Sequence, residues 1–279
     1  MYNIGFMKTI LYIHCLFIVA SVQTSSKPFF AVVVCSFNNE KWCNLNLESI
    51  FMQKYDNYHI YYCDDASTDR TLFLVKSFIQ EHDLSSKITI IENKERQYKL
   101  YNFYTIIHTY IPSDHIVVEI DGDDWLTAED VFDYLANLYR YKNIWMTYGG
   151  FVAWPYTFSY LETQDIPDAI VKTNDFRSFY QKGFIFMALR TFYAGLFKKI
   201  HKKDLWDDAG KFFTRSSDVV TMIPMFEMAG DRFYHIEKPC YCYNTDTGIN
   251  DYTQDKALQN KIYNIVRNRE KYYKLKKLW

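Results

Sequence analysis

Short apolar runs alternate with amphipathic segments along the chain from residue 29 onward. Four runs have the length and the β-branched or aromatic content of buried strands, at residues 29–36, 58–63, 87–92 and 115–120. Between them, apolar residues recur at helical spacing and predict helices over residues 42–53, 70–82 and 99–111. Because strands that alternate with helices build βαβ units, we predict an α/β, Rossmann-like fold with a mainly parallel sheet and helices on both faces.

Polar side chains follow each of the four predicted strands. In chain order they are Ser36, Phe37 and Asn38, then Asp64 and Asp65, then Asn93, then Asp121, Asp123 and Asp124 around Gly122. In open parallel sheets, ligands bind beyond the carboxyl ends of the strands. The sequence therefore predicts a ligand site at this edge of the sheet, with carboxylates from two strand ends.

The acidic turn at residues 121–124 has the composition of a site for a hard cation. Mg²⁺ and Mn²⁺ are commonly held by one or two carboxylates and complete their coordination with water and substrate phosphate. We predict that Asp121, Asp123 and Asp124 hold Mn²⁺ or Mg²⁺ against a diphosphate. The alternative is an exposed acidic turn that precedes the next helix. A phosphatase with an aspartate nucleophile does not fit, because Trp125 occupies the position where such enzymes carry Thr or Val.

The second acidic run, at residues 64–69, precedes a predicted helix. Ser67 or Thr68 is predicted to cap that helix. Asp64 and Asp65 exceed what a cap needs, and a carboxylate there can accept the imide N–H of uracil.

The second half of the chain has a weaker pattern. A capping-box-like start at residues 127–130 predicts a helix. The pattern predicts a strand over residues 144–152 and a helix over residues 216–230. Residues 153–185 are predicted to be irregular. Residues 256–279 form a basic amphipathic helix candidate, either a solvated face or a surface that docks on an acidic membrane.

Composition narrows the class of protein. The 279 residues carry a formal net charge of -1, which lacks the basic face expected for nucleic-acid binding. The 25 Tyr and 22 Phe fit either an aromatic core or a sugar-binding groove.

The N-terminal segment contains an apolar run over residues 9–20. Residues 1–26 are therefore interpreted as a signal or membrane anchor, or alternatively as an ordinary apolar segment. A signal or anchor implies membrane association or export, and its absence implies a cytoplasmic protein.

Four segments together resemble glycosyltransferase family 2, whose members have the GT-A fold. They are residues 30–38, QKY at 53–55, CDDASTDRT at 63–71 and EIDGDDWL at 119–126. The resemblance implies inverting transfer from a nucleotide-sugar, often a UDP-sugar, with Mn²⁺ or Mg²⁺. It implies that Ser36, Phe37 and Asn38 border the nucleobase, that Asp64 and Asp65 hold it, and that Asn93 lies at the ribose or base edge. Asp121, Asp123 and Asp124 are implied to hold metal, diphosphate and donor sugar.

The resemblance also implies a catalytic base at the start of a helix in the acceptor half. Asp218 matches it best, although Ser217 replaces the usual Glu, and Glu227 or the pair Asp207 and Asp208 are alternatives. The resemblance also implies that residues 243–251 correspond to the family's loop over the diphosphate. A sugar-nucleotidyltransferase does not fit, because residues 36–40 are neither Gly-rich nor basic.

The domain prediction follows the resemblance. Residues 27–255 form the GT-A domain, with a nucleotide-sugar half at 27–135 and an acceptor half at 136–255, and the basic helix at 256–279 follows. The expected partners are a nucleotide-sugar donor and a glycan, lipid-linked or protein acceptor, without nucleic acid. A catalytically silent nucleotide- or glycan-binding module on the same fold is the alternative function.

Overall fold

The computed structural model describes residues 27–155, 163–179, 188–247 and 256–279. The predicted signal or anchor at residues 1–26 lies outside the described residues. Of the loop predicted at residues 243–251, residues 248–251 also lie outside them. Within the described ranges, no helix combines the length and the apolar character needed to cross a bilayer.

Between residues 30 and 121, strands and helices alternate as the sequence predicts. The strands are β1 (Phe30–Ser36), β2 (Tyr58–Asp64), β3 (Ile88–Glu92), β4 (Ile116–Asp121), β5 (Trp125–Leu126), β6 (Met146–Trp154), β7 (Arg190–Tyr193) and β8 (Phe233–Asn244). The helices are α1 (Cys43–Phe51), α2 (Thr71–Glu81), α3 (Tyr98–Tyr110), α4 (Val131–Tyr141), α5 (Asp168–Thr173), α6 (Phe176–Phe179), α7 (Ala194–Phe197), α8 (Ser217–Ala229) and α9 (Lys256–Asn268).

One mixed sheet carries the fold, in the order β3-β2-β1-β4-β7-β6-β8-β5. The first four strands in that order are parallel, β7 runs antiparallel to β4 and β6, and β8 runs parallel to β6. The predicted α/β fold is confirmed. The antiparallel β7 was not predicted, because its four residues are too few for periodicity to identify.

Side chains of β1 alternate between two apolar cores, one on each face of the sheet. Ala31 and Val33 join the core built with α3, α7, α8 and α9. Phe30, Val32 and Val34 join the core built with α1, α2 and α4. Because successive strand residues point to opposite faces, a strand buried on both sides reads as a continuous apolar run. The prediction of helices on both faces is confirmed.

Strand β8 brings the second half of the chain to the predicted site. It pairs with β6 up to Trp154↔Asn244, with a bulge near Gly149 and Gly150, which have φ values of 92° and 76°. It also pairs with β5 in antiparallel register, Trp125↔Cys242. Since β5 directly follows the acidic turn, this pairing fixes the end of β8 beside residues 123 and 124.

Two local predictions are wrong. Helix α4 begins at Val131, and the Thr127 hydroxyl donates to the Pro239 carbonyl oxygen instead of capping the helix. The basic C-terminal helix ends at Asn268, and residues 269–279 continue without helix. These last residues pack on the protein, because the Leu275 N–H donates to the Met228 carbonyl and Leu278 is buried.

Candidate active site

The carboxyl ends of β1, β2 and β4 lie side by side at one edge of the sheet. Their registers pair Ser36 with Asp64, and Cys35 with Asp121. Backbone bonds continue the pairing past the strands, from the Asp65 N–H to the Ser36 carbonyl (2.8 Å) and from the Gly122 N–H to the Cys35 carbonyl (3.1 Å). The polar residues that follow the separate strands are therefore neighbours, as the parallel topology predicts.

The turn after β4 is held by its backbone. The Asn46 Nδ2 of α1 donates to the carbonyl oxygens of Asp121 (2.9 Å) and Asp124 (2.7 Å). A Cβ atom on Gly122 would lie 2.6 Å from both Cβ and Oγ of Ser36. Real Cβ atoms do not approach other atoms that closely, so the contact between the ends of β1 and β4 requires glycine.

Asp124 faces the protein interior. Its carboxylate accepts bonds from the Tyr241 hydroxyl (2.6 Å) and from the Asn244 N–H (2.7 Å), and the side chain is buried. Burial and the neighbouring Asp123 and Asp121 raise the pKa of Asp124 well above its usual range. Asp124 thus anchors the turn to β8, and its predicted part in metal binding stays a prediction.

Asp121 and Asp123 are only partly buried. Burial and the charge of Asp121 raise the pKa of Asp123 to about 7, while a bond from the Thr247 side chain opposes the shift. A divalent cation relieves repulsion between adjacent carboxylates, and hard oxygen donors suit Mn²⁺ and Mg²⁺. The residues at this position therefore fit the predicted metal.

A buried group of charges that the sequence analysis missed adjoins Asp121. Lys99 Nζ forms ion pairs with the carboxylates of Asp121 and Glu119, and Arg190 pairs with Glu119 through two nitrogens. Burial alone would raise the pKa of Glu119, but Arg190 and Lys99 hold it at about 2. One signal was available, because Glu119 is a charged residue inside the apolar run of β4, two residues before the strand ends at Asp121.

The two aspartates after β2 have different surroundings. Asp64 Oδ2 accepts the Ser67 N–H (3.0 Å), whereas the buried Asp64 Oδ1 has no hydrogen-bond partner among the described residues. Asp65 accepts bonds from Asn93 Nδ2 (2.8 Å) and from the backbone N–H groups of Gln97 (2.8 Å) and Tyr98 (2.9 Å). Asp65 therefore holds the loop between β3 and α3 in place through these hydrogen bonds. Asp64 Oδ1 can still accept a hydrogen bond from a ligand.

The loop after β1 contacts the loop after β2. Asn38 has a left-handed φ of 54°, its N–H donates to Ser67 Oγ, and its Oδ1 accepts the Thr68 N–H. The predicted helix cap by Ser67 or Thr68 is wrong, because these residues serve this loop contact, and Asp69 Oδ1 accepts the Thr71 N–H instead.

Phe37 has a cationic neighbour that the sequence analysis did not identify. The Arg96 guanidinium carbon lies 3.6 Å from the centre of the Phe37 ring, and Arg96 Nε lies 3.8 Å from Asp65. Phe37, Asp65 and Asn93 thus meet at one end of the site, where the sequence predicts the nucleobase.

Asp218 lies in the first turn of α8, after Ser216 with its left-handed φ of 56°. Burial raises the pKa of Asp218, while the cations of Arg190 and Lys99 oppose the shift. The same two cations act on Glu119 beside Asp121, so Asp218 shares an electrostatic environment with the acidic turn.

The alternative bases have other partners. Glu227 is fully buried and accepts bonds from Arg177 Nε (2.6 Å) and Nη2 (2.8 Å) at the far end of α8. Asp207 Oδ1 accepts the N–H groups of Ala209 and Lys211 within its own turn.

The fold is of the GT-A type seen in glycosyltransferases. The family model of glycosyl transferase family 2 matches residues 31–203, which is more than half of the chain. The chain belongs to glycosyltransferase family 2, and the predicted resemblance is confirmed.

Relatives and solved structures agree with this assignment. The chain is 33% identical to the putative glycosyltransferase EpsE of Bacillus subtilis over 100 residues, which is 36% of this chain and 34% of EpsE. The structure of S. aureus TarS 1-349 with UDP-GlcNAc matches at a TM-score of 0.58 and 14% identity, over 77% of this chain and 58% of TarS. The structure of the mannosyltransferase PcManGT of Pyrobaculum calidifontis, with GDP-Man and Mn²⁺, matches at a TM-score of 0.51 and 20% identity. The match covers 77% of this chain and 57% of PcManGT. These structural matches show the fold.

Proposed function

We propose that this chain is an inverting glycosyltransferase that transfers a sugar from a UDP-sugar to an acceptor hydroxyl with the help of Mn²⁺ or Mg²⁺. The observation that carries the proposal is the set of carboxylates at one edge of the sheet, with Asp64 at the end of β2 and Asp121 and Asp123 after β4, on either side of β1. Asp64 Oδ1 has no hydrogen-bond partner among the described residues. This edge offers carboxylates for a metal-bound diphosphate and an acceptor for a nucleobase N–H.

The nucleobase end is formed by Phe37, Asp64, Asp65 and Asn93. A buried acceptor without a donor costs free energy, and the imide N–H of uracil satisfies such an acceptor on Asp64. Phe37 offers a ring for stacking on the base, and Asp65 holds the loop of Asn93 in place. TarS, a fold relative, was solved with UDP-GlcNAc, which supports this choice of nucleotide.

Asp123 and Asp121 hold the metal, and Asp124 keeps their turn attached to β8. A bound Mn²⁺ or Mg²⁺ supplies Lewis-acid stabilisation to the leaving diphosphate. The fit of these side chains and the Mn²⁺ in the fold relative PcManGT support this assignment.

Asp218 is the proposed base. The acceptor oxygen forms a bond to the anomeric carbon of the sugar, the bond from that carbon to the diphosphate breaks, and the acceptor proton passes to the Asp218 carboxylate. Inversion requires that base opposite the leaving group. The raised pKa of Asp218 makes it a stronger base than an exposed aspartate.

A thermal-shift screen with nucleotide-sugars, with and without Mn²⁺, tests the donor class. We expect a Mn²⁺-dependent rise in melting temperature with UDP-sugars, and UDP release on incubation with an acceptor panel. A rise with GDP-sugars alone would contradict the choice of UDP, and no rise with any nucleotide would contradict the function.

A second candidate function is a catalytically silent nucleotide-binding module. Ser217 stands where the family usually has Glu before the base, and this substitution favours the alternative. The silent module binds UDP with Mn²⁺ as the enzyme does, but it releases no UDP from any UDP-sugar, whether or not a glycan, lipid-linked or protein acceptor is present.

We also propose that the C-terminal segment associates with an acidic membrane surface. After α9, Leu275 and Leu278 pack inward, whereas Tyr273, Lys276, Lys277 and Trp279 are exposed. Exposed aromatic and lysine side chains favour anionic lipid surfaces. Co-sedimentation with phosphatidylserine vesicles, but not with phosphatidylcholine vesicles, would support this docking, and equal sedimentation would contradict it.

A further inference from the structure

Three charged side chains, Lys99, Glu119 and Arg190, form a largely buried cluster next to Asp121, which we name the ion cluster. Glu119 and Arg190 are direct partners across β4 and β7. Arg190 Nη2 lies 2.7 Å from Glu119 Oε1, and Arg190 Nε lies 3.1 Å from Glu119 Oε2. Lys99 Nζ lies 2.7 Å from Glu119 Oε1 and also bonds Asp121 Oδ1.

The chain path explains why these groups meet. Glu119 and Asp121 are two residues apart on β4, so their side chains leave the same face of the sheet. Helix α3 packs on that face and begins one residue before Lys99. The lysine ammonium therefore reaches both carboxylates, and Glu119 fixes its position because Arg190 holds Glu119 in turn.

Stability alone is a poor explanation for the ion cluster. The side chains of Glu119, Arg190 and Lys99 are 4%, 8% and 25% exposed. Removing charges from water is unfavourable, and well-packed apolar residues often replace such clusters without loss of stability. A charged cluster inside an apolar sheet therefore indicates a task that apolar residues cannot perform.

A second buried arginine–glutamate pair shows what a structural pair looks like in this protein. Arg177 donates hydrogen bonds to Glu227 from two nitrogens, as Arg190 does to Glu119. Its remaining contacts go to the backbone carbonyls of Val266, Arg269 and Glu270 at the end of α9. The ion cluster instead reaches a carboxylate of the candidate active site.

We infer that Lys99 is a positioning residue, which orients the Asp121 carboxylate for the nucleotide-diphosphate and is itself held by Glu119 and Arg190. This inference rests on the proposed function, since it concerns the same donor site. The ammonium fixes one Asp121 oxygen and offsets the negative charge that Asp121 would otherwise present to the donor diphosphate. A metal at this turn would be held by Asp123 together with Asp121.

Calorimetric titration of UDP in excess Mn²⁺ tests the inference on four full-length variants. Lys99→Met removes the ammonium, Lys99→Arg keeps the charge, and Glu119→Gln removes the anchor of Lys99. Glu227→Gln is the matched control, because it removes one carboxylate charge from the other buried arginine pair. Melting temperatures of all variants are measured first, and the titrations are run below the lowest of them.

We expect Lys99→Met and Glu119→Gln to weaken UDP binding by about tenfold or more, the effect of losing a charged hydrogen bond. Lys99→Arg should recover most of the affinity. Glu227→Gln should lower the melting temperature but leave UDP affinity unchanged. If Lys99→Met does not fold, Glu119→Gln decides the question.

Unchanged UDP affinity in the ion-cluster variants, with wild-type protein that binds UDP, would overturn the inference and leave the proposed function intact. Equal weakening by Glu227→Gln would also overturn it, because the effect would then follow general destabilisation. Wild-type protein that fails to bind UDP with Mn²⁺ would overturn the proposed function and this inference together.

Discussion

The aspartates of the turn after β4 differ in their partners. Asp121 pairs with Lys99, Asp123 is partly exposed and receives a bond from Thr247, and Asp124 is bonded to β8. A carboxylate whose oxygens already accept hydrogen bonds from strong donors holds the backbone of its turn in place. A partly exposed carboxylate is available to a ligand. We therefore expect substitutions of neighbouring aspartates to have different consequences.

Asp123→Asn is expected to abolish the Mn²⁺ dependence of UDP binding. The change preserves side-chain size but removes the charge of the partly exposed carboxylate, so a hard cation loses a ligand. Thermal shifts with UDP, measured with and without Mn²⁺, check this expectation. Asp83→Asn, in the exposed turn after α2, is the control and should behave as wild type. An undiminished Mn²⁺ response in Asp123→Asn would exclude Asp123 as the essential ligand.

Asp218→Asn is expected to spare UDP binding and to reduce sugar transfer by at least about a hundredfold, the usual contribution of a general base. Because transfer requires the ionised carboxylate, the rate should fall as pH is lowered through the pKa of Asp218. Burial raises that pKa, with Arg190 and Lys99 opposing and Glu119 adding to the shift. The acidic limb of the pH–rate profile should therefore lie at higher pH than for an exposed aspartate.

Turnover and UDP affinity of Asp218→Asn, measured on the same sample, separate the base from a binding residue. Full turnover would place the base elsewhere. Loss of UDP binding together with turnover would assign Asp218 to the donor site instead.

At the scale of elements, the contact between the ends of β1 and β4 depends on Gly122. In Gly122→Ala, the added Cβ would meet Ser36 Cβ and Oγ at 2.6 Å, so the two strand ends must separate. We expect a loss of about 1–3 kcal/mol in the free energy of unfolding, typical of an overpacked site, and weaker UDP binding. Denaturant unfolding and titration with UDP measure the two effects.

A second substitution distinguishes this clash from other causes. Ser36→Ala keeps the Cβ and should not rescue Gly122→Ala. Ser36→Gly removes the two closest clashing atoms, leaves only the contact with Asn39 Nδ2 at 2.8 Å, and should restore part of the stability. Equal behaviour of the two double variants would show that the contact with Ser36 is not the cause.

The sequence predicts those elements whose signal is local. Strands β1 to β4 are continuous apolar runs, and their parallel order places Ser36, Asp64 and Asp121 together without further information. Strand β5 has two residues and β7 has four, so only pairing with distant strands defines them. The helix-cap predictions are wrong for a similar reason, because the Ser67 hydroxyl bonds to the loop after β1 and the Thr127 hydroxyl bonds to β8.

The partners of the site residues were less accessible to sequence reasoning. Tyr241 and Asn244 lie far along the chain from Asp124, and Lys99 and Arg190 come from different halves of the domain. No periodicity connects such residues, because they become neighbours only through the order of the strands and the packing of α3 on the sheet. The residue types at the strand ends are therefore predictable, whereas the division of tasks among them depends on tertiary contacts.

At the scale of the whole molecule, one arginine joins the C-terminal segment to the domain. Arg177 of α6 bonds Glu227 of α8 and the carbonyls that end α9, and the Tyr272 N–H donates to Glu227 Oε2. The amphipathic helix predicted for residues 256–279 ends at Asn268 and buries one face, with Gln259, Ile262 and Val266, against the domain. The lysines of residues 269–279 lie on the exposed face, and two of them, Lys271 and Lys274, pair there with Asp175 and Asp231.

Arg177→Met is expected to destabilise the protein without affecting the donor site. It leaves the fully buried Glu227 charge without its cation and removes donors from three carbonyls, and breaking a buried pair in this way costs about 3–5 kcal/mol. Equilibrium denaturation should show the loss, and limited proteolysis should show faster cleavage after α9. UDP affinity in Mn²⁺ should stay at the wild-type value below the melting temperature. Adding Glu227→Met to Arg177→Met should recover part of the free energy of unfolding, since it removes the unpaired charge. If nothing is recovered, the loss comes mainly from the contacts of Arg177 with the backbone carbonyls.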